Sequence, residues 1–113
     1  MSYADVIKRV LEEYRLKLEI NSEVKVKVKN YKTIAALTNL KTRTIYINEK
    51  LLDVSEKALR YLILHELIHL KLDNKYHDKM FYEILYDHIT PEEVATSRKV
   101  INEKLINSVN SNF

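Results

Sequence analysis

The chain of 113 residues has no cysteine, no glycine and a single proline. Without cysteine it can form neither a disulfide framework nor a thiolate metal site, so a metal would have to be held by histidine and carboxylate side chains. The missing glycines, with many lysines, glutamates and isoleucines, leave few flexible joints and much charge for surface ion pairs. This composition is compatible with a thermophilic source, and the absence of cysteine leads us to expect a cytoplasmic location.

Long apolar runs and a strong charge of one sign are also missing. No segment approaches the roughly 18 consecutive apolar residues of a membrane helix, and Met1–Asp5 lacks the basic and apolar regions of a signal peptide. The net charge of +3, from 19 basic and 16 acidic residues, is typical of a mixed-charge surface rather than a nucleic-acid footprint. We therefore expect a single globular domain whose partners include neither a membrane nor a nucleic acid.

The first half of the chain predicts one helix and a small sheet. Ser2 and Asp5 form a capping box that opens an amphipathic helix. Residues 24–29 alternate valine with lysine, which is the pattern of a strand with one buried face. Thr33–Thr38 and Thr42–Asn48 are β-rich and flank a short turn, which predicts a hairpin. The apolar stripe of the helix consists of Ile7, Val10, Leu11, Tyr14 and Leu18.

The second half predicts three helices. Asp53 and Glu56 form a second capping box, starting a helix that runs to about Leu72. This helix is apolar nearly all round, as expected of the central buried element. Asp73-Asn74-Lys75 end it, and we expect Asn74 to turn the chain because asparagine tolerates left-handed geometry. The short helix that follows buries Phe81, Ile84 and Leu85.

Thr90-Pro91-Glu92-Glu93 is a start signal for a last helix, with a threonine cap, proline at the first position and glutamate at the third. The predicted fold class is therefore α+β, a small three-stranded sheet packed on a central helix, with N-terminal and C-terminal helices. We divide the single domain, residues 1–113, into a core of residues 1–88 and a C-terminal helical segment of residues 89–113. The last helix runs to about Val109, with a thin apolar stripe of Val94, Ile101, Leu105 and Val109.

The central helix carries His65-Glu66-Leu67-Ile68-His69, an H-E-x-x-H sequence. Four helical residues turn a side chain through about 400°, so His65 and His69 project from nearly the same side. Two neutral imidazoles in this arrangement can hold one Zn²⁺ ion, and Glu66 is close enough to take a proton from the water that the ion activates. The pattern favours a zinc enzyme over two ordinary buried histidines beside an ion-paired glutamate.

Catalytic zinc needs a third protein ligand and an open position for water. His77 follows His69 beyond the predicted helix end, so the chain can turn back and bring its imidazole to the metal. Glu83 on the next helix is the rival, because a glutamate completes the zinc site of enzymes of the thermolysin kind. We favour His77 and leave Glu83 open. Asp87 is a further candidate, and His88 is more typical of a core or cleft-wall histidine.

The order of motifs resembles a known family. Ile45–Asn48, Leu51-Leu52, the H-E-x-x-H segment and His77-Asp78-Lys79-Met80-Phe81 resemble the HELxH…HxxxF pattern of small gluzincin-like metallopeptidases, including the YgjP-like and SprT-like groups. The short length and the three histidines resemble most closely the minigluzincins. The resemblance covers residues 33–88 and departs from the YgjP-like pattern by two extra residues before His77. It implies one Zn²⁺ per chain on His65, His69 and His77, with Glu66 as the base and Phe81 behind the site.

The resemblance also implies latency, with C-terminal segments covering the active-site cleft. We therefore interpret the chain as a zinc-dependent endopeptidase in a zymogen state, acting on peptide or protein substrates with Glu66 as its catalytic base. We expect a homodimer formed through the C-terminal helix, because the short joint at Ile89-Thr90 favours exchange with a second copy.

Two aspects of the mechanism stay open at this point. We expect the substrate to add itself to the edge of the Thr33–Thr38 strand by main-chain hydrogen bonds. A second donor to the oxyanion could come from Tyr76, Tyr82, Tyr86 or His88. The alternative functions are a SprT-like protease acting on DNA-bound proteins and an interaction module whose site no longer turns over.

Overall fold

Four α-helices and one three-stranded sheet make up residues 3–110, which the computed structural model describes together with the side chains of residues 3–107. The α+β class is confirmed. None of the helices in this described range is long and apolar enough to cross a membrane. In chain order the elements are α1 (Tyr3–Lys17), β1 (Lys25–Lys29), β2 (Ala36–Asn39), β3 (Thr44–Asn48), a 3₁₀ turn (Glu49–Leu51), α2 (Glu56–Leu72), α3 (Lys79–His88) and α4 (Pro91–Asn110).

The sheet has the order β1-β3-β2, with β1 parallel and β2 antiparallel to the central strand β3. The β2–β3 pair is the predicted hairpin, but both strands are shorter than expected. The segment before β2 is not part of the strand. Its carbonyls at Tyr31 and Ile34 accept hydrogen bonds from the Asn48 side-chain amide, at 2.9 Å each. In the strand order, β2 lies at one edge of the sheet.

The prediction of a buried valine face on β1 is only partly right. Val26 is half-buried, whereas Val28 is 43 % exposed. β1 lies at the other edge of the sheet, and an open cavity lined by Ala4, Ile7 and Val28 remains between it and α1. Edge position therefore explains why alternation did not produce full burial.

Helix α2 is the central element, as predicted, but its N-cap is not. The Ser55 hydroxyl accepts from the Ala58 N–H at 3.3 Å and caps the helix. The predicted capping box of Asp53 and Glu56 was wrong, because the Asp53 carboxylate turns to Lys104 of α4 at 2.8 Å. Burial along α2 extends around most of the helix and includes Leu59, Ile63, Leu64, Leu67, Ile68 and Leu70.

The end of α2 also differs from the prediction by one residue. Asp73, not Asn74, adopts the left-handed conformation, with φ 54° and ψ 41°. Its backbone N–H donates to the carbonyl of His69, which ends the helix with a bond that a left-handed residue makes possible. Aspartate and asparagine are among the few residues besides glycine that enter the left-handed region at modest cost. Asp73 and Asn74 therefore have similar tendencies to turn the chain.

Two caps start the last helices. The Asp78 carboxylate accepts from the Phe81 N–H at 3.2 Å and caps α3, which buries Phe81 and Leu85. The predicted threonine cap of α4 is confirmed, because the Thr90 hydroxyl accepts from the Glu93 N–H and donates to the Glu93 carboxylate, each at 3.1 Å. Helix α4 buries Val94, Ser97, Ile101 and Leu105. Two predictions concern parts outside the described residues: the cap of α1 at Ser2, and the side chain of Val109 in the apolar stripe of α4.

Replacing the cap tests this description of α2. Ser55→Ala should lower the free energy of unfolding by about 1 kcal/mol, because the Ala58 N–H loses its acceptor. Asp53→Ala removes only an exposed ion pair, which should cost about 0.5 kcal/mol or less and nothing in about 1 M NaCl, where the charges are screened. Urea unfolding at low and high salt measures both. A salt-independent loss of stability in Asp53→Ala, with no loss in Ser55→Ala, would show that Asp53 is the cap.

Candidate metal centre

Three imidazoles converge at the C-terminal half of α2. His65 and His69 lie one helical turn apart, and His77 returns to them from the segment between α2 and α3. The His77 Nε2 atom is 3.0 Å from Nε2 of His65 and 3.1 Å from Nε2 of His69. Two nitrogens bound to one tetrahedral zinc ion at the usual bond length lie about 3.3 Å apart. Both distances from His77 are close to this value, and the ligand atoms of the three residues all lie within 4.8 Å of one another, so the cluster fits a single ion.

Polar contacts at the Nδ1 atoms of His65 and His69, on the side of each ring away from the cluster, orient the Nε2 atoms. The His69 Nδ1 atom is 3.0 Å from the carbonyl oxygen of Asn74, which can only accept, so Nδ1 carries the proton and Nε2 keeps its lone pair. The His65 Nδ1 atom is 3.4 Å from the Tyr61 hydroxyl, which can accept from it in the same way. The Asn74 carbonyl therefore fixes the His69 tautomer in which Nε2 is free, and Tyr61 is placed to favour the same tautomer of His65.

Phe81 forms the apolar floor under the three imidazoles. Its ring centroid lies 4.8 Å from that of His65, 5.0 Å from that of His69 and 4.9 Å from that of His77. The ring is 1 % exposed, because the Asp78 cap directs the first turn of α3 against α2. One buried side chain thus packs against all three rings and limits their movement.

The surroundings keep His65 and His69 neutral, which is the form that binds metal. Burial, acting in the same direction as the nearby imidazoles of His69 and His77, lowers the pKa of His65 to about 3. Burial also lowers the pKa of His69, against the opposing effect of its bond to Asn74. Both rings are therefore available as electron-pair donors at neutral pH.

Glu66 lies beside the cluster and is 7 % exposed. Its Oε2 atom is 3.7 Å from Nε2 of His65, while its Oε1 atom accepts from the Thr38 hydroxyl at 2.9 Å. Burial raises the pKa of Glu66 to about 7, and the bond from Thr38 offsets part of that rise. A carboxyl group tuned close to neutrality can both take and release a proton, as general acid–base chemistry requires.

The other candidate ligands lie elsewhere. Glu83 is on the exposed side of α3, 60 % exposed and 3.8 Å from the Lys79 ammonium group. Asp87 lines a shallow surface depression with Tyr82 and Tyr86, and the His88 ring packs edge-on against Tyr14. Within the part of the chain that the structure describes, His65, His69 and His77 are the only group of three side chains arranged to share a metal.

Two walls enclose the cluster and form open cavities of about 130 to 210 Å³. Strand β2 supplies one wall through Ala36, Leu37 and Thr38. Helix α4 supplies the other through Arg98, which lines cavities containing His65 on two sides. Of the tyrosines considered as oxyanion donors, Tyr82 lines the cavity that also contains His65 and His77.

Sequence reasoning missed several of these neighbours. Tyr61 carried a readable signal, since it lies one helical turn before His65 on the same face of α2. No sequence pattern indicated Thr38 or Arg98, because their approach to the site depends on how β2 and α4 pack against α2. The Asn74 carbonyl is a backbone group, and only the turn at Asp73 brings it to His69.

Comparison with known proteins gives consistent similarities. The sequence profile of the YgjP-like metallopeptidase domain matches residues 2–104. The chain is 32 % identical over 101 residues to an uncharacterized protein of Methanocaldococcus jannaschii, covering 88 % of this chain and 92 % of that one. It is 42 % identical over 66 residues to an uncharacterized protein of Aquifex aeolicus, covering 58 % of this chain and 60 % of the relative.

Two solved structures are also similar. The metallopeptidase zymogen abylysin of Pyrococcus abyssi has a TM-score of 0.81 and 27 % identity, covering 88 % of this chain and 94 % of that one. The metallopeptidase zymogen jannalysin of Methanocaldococcus jannaschii has a TM-score of 0.79 and 31 % identity, covering 88 % and 96 %. Both similarities extend over nearly the whole length, so they include the helix that carries the histidines.

Removing each rival ligand tests the composition of the centre. His77→Ala should weaken metal binding by more than about 100-fold, because it takes away one of three ligands. Glu83→Ala should leave the affinity unchanged, because that carboxylate lies on the solvent side of α3. Equilibrium competition with a zinc-chelating dye measures both. The opposite pattern, with metal lost only in Glu83→Ala, would make the site one of the thermolysin type.

Proposed function

Because this chain belongs to the YgjP-like metallopeptidase family, and is therefore a metallopeptidase, we propose that it is a zinc-dependent endopeptidase of the minigluzincin type. His65, His69 and His77 would hold one zinc ion, and Glu66 would be the general base. The observation that carries this assignment is the approach of three Nε2 atoms to one another, with a buried carboxylate beside them.

The donor set favours zinc among the common metals. Neutral imidazoles suit zinc, three protein ligands leave the fourth position open, and the chain has no cysteine that could form a sulfur site. A bound zinc ion would polarise the substrate carbonyl and lower the pKa of a water molecule, which is the chemistry that peptide hydrolysis needs.

Glu66 is the only carboxylate in the described residues that stands within 4 Å of the imidazole cluster. In the proposed mechanism its Oε2 atom takes the proton of the attacking water and then passes it to the leaving amine. The same group can serve twice because its Oε2 atom faces the imidazole cluster, 3.7 Å from Nε2 of His65.

The substrate would lie along β2. This strand is paired with β3 on one side only, so its other edge can accept an extended peptide by main-chain hydrogen bonds. The small side chain of Ala36 leaves room for a neighbouring backbone, and Ala36 and Leu37 line the cavity that contains His65 and Glu66. Tyr82, on the opposite side of His65, is the tyrosine placed best to donate to the oxyanion.

The C-terminal segment, residues 89–113, would hold the enzyme latent. Helix α4 packs against α2 and brings Arg98, Ile101 and Asn102 beside His65 and Glu66, so it narrows one side of the cleft. The similar structures abylysin and jannalysin are zymogens, which supports a latent state for this chain. We also propose exchange of α4 between two copies in a homodimer, because the joint before Pro91 is short and contains no glycine.

Neither alternative function is favoured. The family profile and the zymogen neighbours support a peptidase rather than an interaction module. A protease specialised for DNA-bound proteins would need a basic surface, and a net charge of +3 over 113 residues supplies little of one.

The base is tested by an isosteric change. Glu66→Gln removes the proton acceptor but keeps the shape, so the protein should still bind about one zinc ion per chain while peptidase activity falls by at least about 10²-fold. Glu83→Gln is the matched control, because it makes the same change on the exposed side of α3 and should leave activity intact. Zinc analysis and cleavage of an unstructured protein are the measurements. Full activity of Glu66→Gln would exclude this mechanism.

Latency is tested by changing side chains of α4 that line the cleft, without removing the helix. Ending the chain at Thr90 would instead expose the apolar surface that Val94, Ile101 and Leu105 cover. We therefore substitute Arg98 and Asn102, which are exposed. Arg98→Ala/Asn102→Ala should raise cleavage of an unstructured protein at least about tenfold, equivalent to about 1.4 kcal/mol of relieved obstruction.

Lys99→Ala/Glu103→Ala is the control, since it alters exposed residues of the same helix that line no cavity with His65. Light scattering after size-exclusion chromatography gives the mass of each variant. Equal activities of the two double variants would argue against obstruction by α4, and a monomeric mass would argue against helix exchange.

A further inference from the structure

A buried hydrogen bond connects the edge strand of the sheet to the proposed base. The Thr38 hydroxyl on β2 donates to Oε1 of Glu66 on α2 at 2.9 Å. Both side chains are buried, Thr38 at 5 % and Glu66 at 7 % exposure. No other hydrogen-bond donor to this carboxylate occurs in the part of the chain that the structure describes.

This bond gives the two carboxylate oxygens different surroundings. Oε1 is held by Thr38, whereas Oε2 faces the imidazole cluster, 3.7 Å from Nε2 of His65. The last torsion of a glutamate side chain has a broad energy profile and does not by itself fix the plane of the carboxylate. A single donor on one oxygen therefore decides which way the other oxygen points.

The hydroxyl is itself held in place. Thr38 pairs with Ile45 in the β2–β3 ladder, which fixes its backbone, and β-branching restricts its first side-chain torsion. Ala36 and Leu37, the residues proposed to lie along the substrate, precede it on the same strand. The position of the substrate-binding strand is thus coupled directly to the orientation of Glu66.

We propose that Thr38 is a positioning residue, whose hydroxyl orients Glu66 so that Oε2 is the atom that takes the proton. The inference rests on the proposed role of Glu66 as the base. In this role the Thr38 hydroxyl acts through Glu66, because its hydrogen bond goes to Oε1 of that side chain. Loss of its hydroxyl should therefore reduce kcat and leave KM nearly unchanged, because transition-state stabilisation is lost without loss of substrate binding.

Two substitutions at Thr38 separate the hydroxyl from the methyl group. Thr38→Val keeps the size and the β-branching but removes the donor, so kcat should fall at least about tenfold with KM within about threefold of the wild-type value. Thr38→Ser keeps the donor and should retain kcat within about threefold. Thr44→Val is the matched control, because it removes a buried strand hydroxyl that bonds Thr42 instead of Glu66.

The kinetic outcomes distinguish the possible failures. Wild-type kcat in Thr38→Val, or equal losses in Thr38→Val and Thr38→Ser, would overturn the role of the hydroxyl. Full activity of Glu66→Gln would instead overturn the proposed function, whatever the result at Thr38.

A measurement on the metal-free full-length chain tests the contact without turnover. Thr38→Val leaves a buried carboxylate without its donor, so it should lower the urea midpoint of unfolding in the wild-type background. In a Glu66→Leu background the same substitution should have little effect, because the carboxylate is gone. Equal shifts in the two backgrounds would show that the two side chains are not coupled and would contradict the inference.

Discussion

The site depends on the burial of α2. This helix is apolar on most of its surface, and each fully buried leucine or isoleucine contributes about 2 kcal/mol relative to exposure. That burial holds the backbone of His65, Glu66 and His69 in place and so sets the i,i+4 spacing of two imidazoles. It also places Glu66 in an apolar environment, where leaving its carboxylate without a donor would cost about 1 to 3 kcal/mol. The hydroxyl of Thr38 supplies that donor.

The third imidazole reaches the site through a turn that a chain without glycine must make with other residues. Over residues 3–110, Glu19, Arg43 and Asp73 have positive φ values, between 54° and 57°. The turn at Asp73 reverses the chain after α2 and presents the Asn74 carbonyl to His69, so one local conformation both ends the helix and sets a histidine tautomer. The Asp78 cap then starts α3, and Phe81 closes the underside of the cluster.

The features that could be predicted from the sequence are those that local residue patterns determine. Helical spacing was sufficient for α2 and its two histidines, and the turn signals were sufficient for the hairpin and for α4. The exact cap at Ser55 and the turning residue Asp73 were missed by one or two positions, because neighbouring residues had similar capping or left-handed tendencies. The Thr38–Glu66 bond joins residues 28 positions apart, and the exposure of Val28 follows from the edge position of β1. Both depend on tertiary packing, which no local pattern contains.

The central claim is that His65, His69 and His77 together hold one catalytic metal ion. The most direct test is a crystal structure of the zinc-loaded full-length chain, with anomalous diffraction measured on both sides of the zinc absorption edge. Our account expects one strong peak per chain, within about 2.0 to 2.1 Å of the three Nε2 atoms and with a non-protein oxygen completing a tetrahedron. A peak bound to a carboxylate of α3, or a cluster that stays empty at saturating zinc, would contradict it.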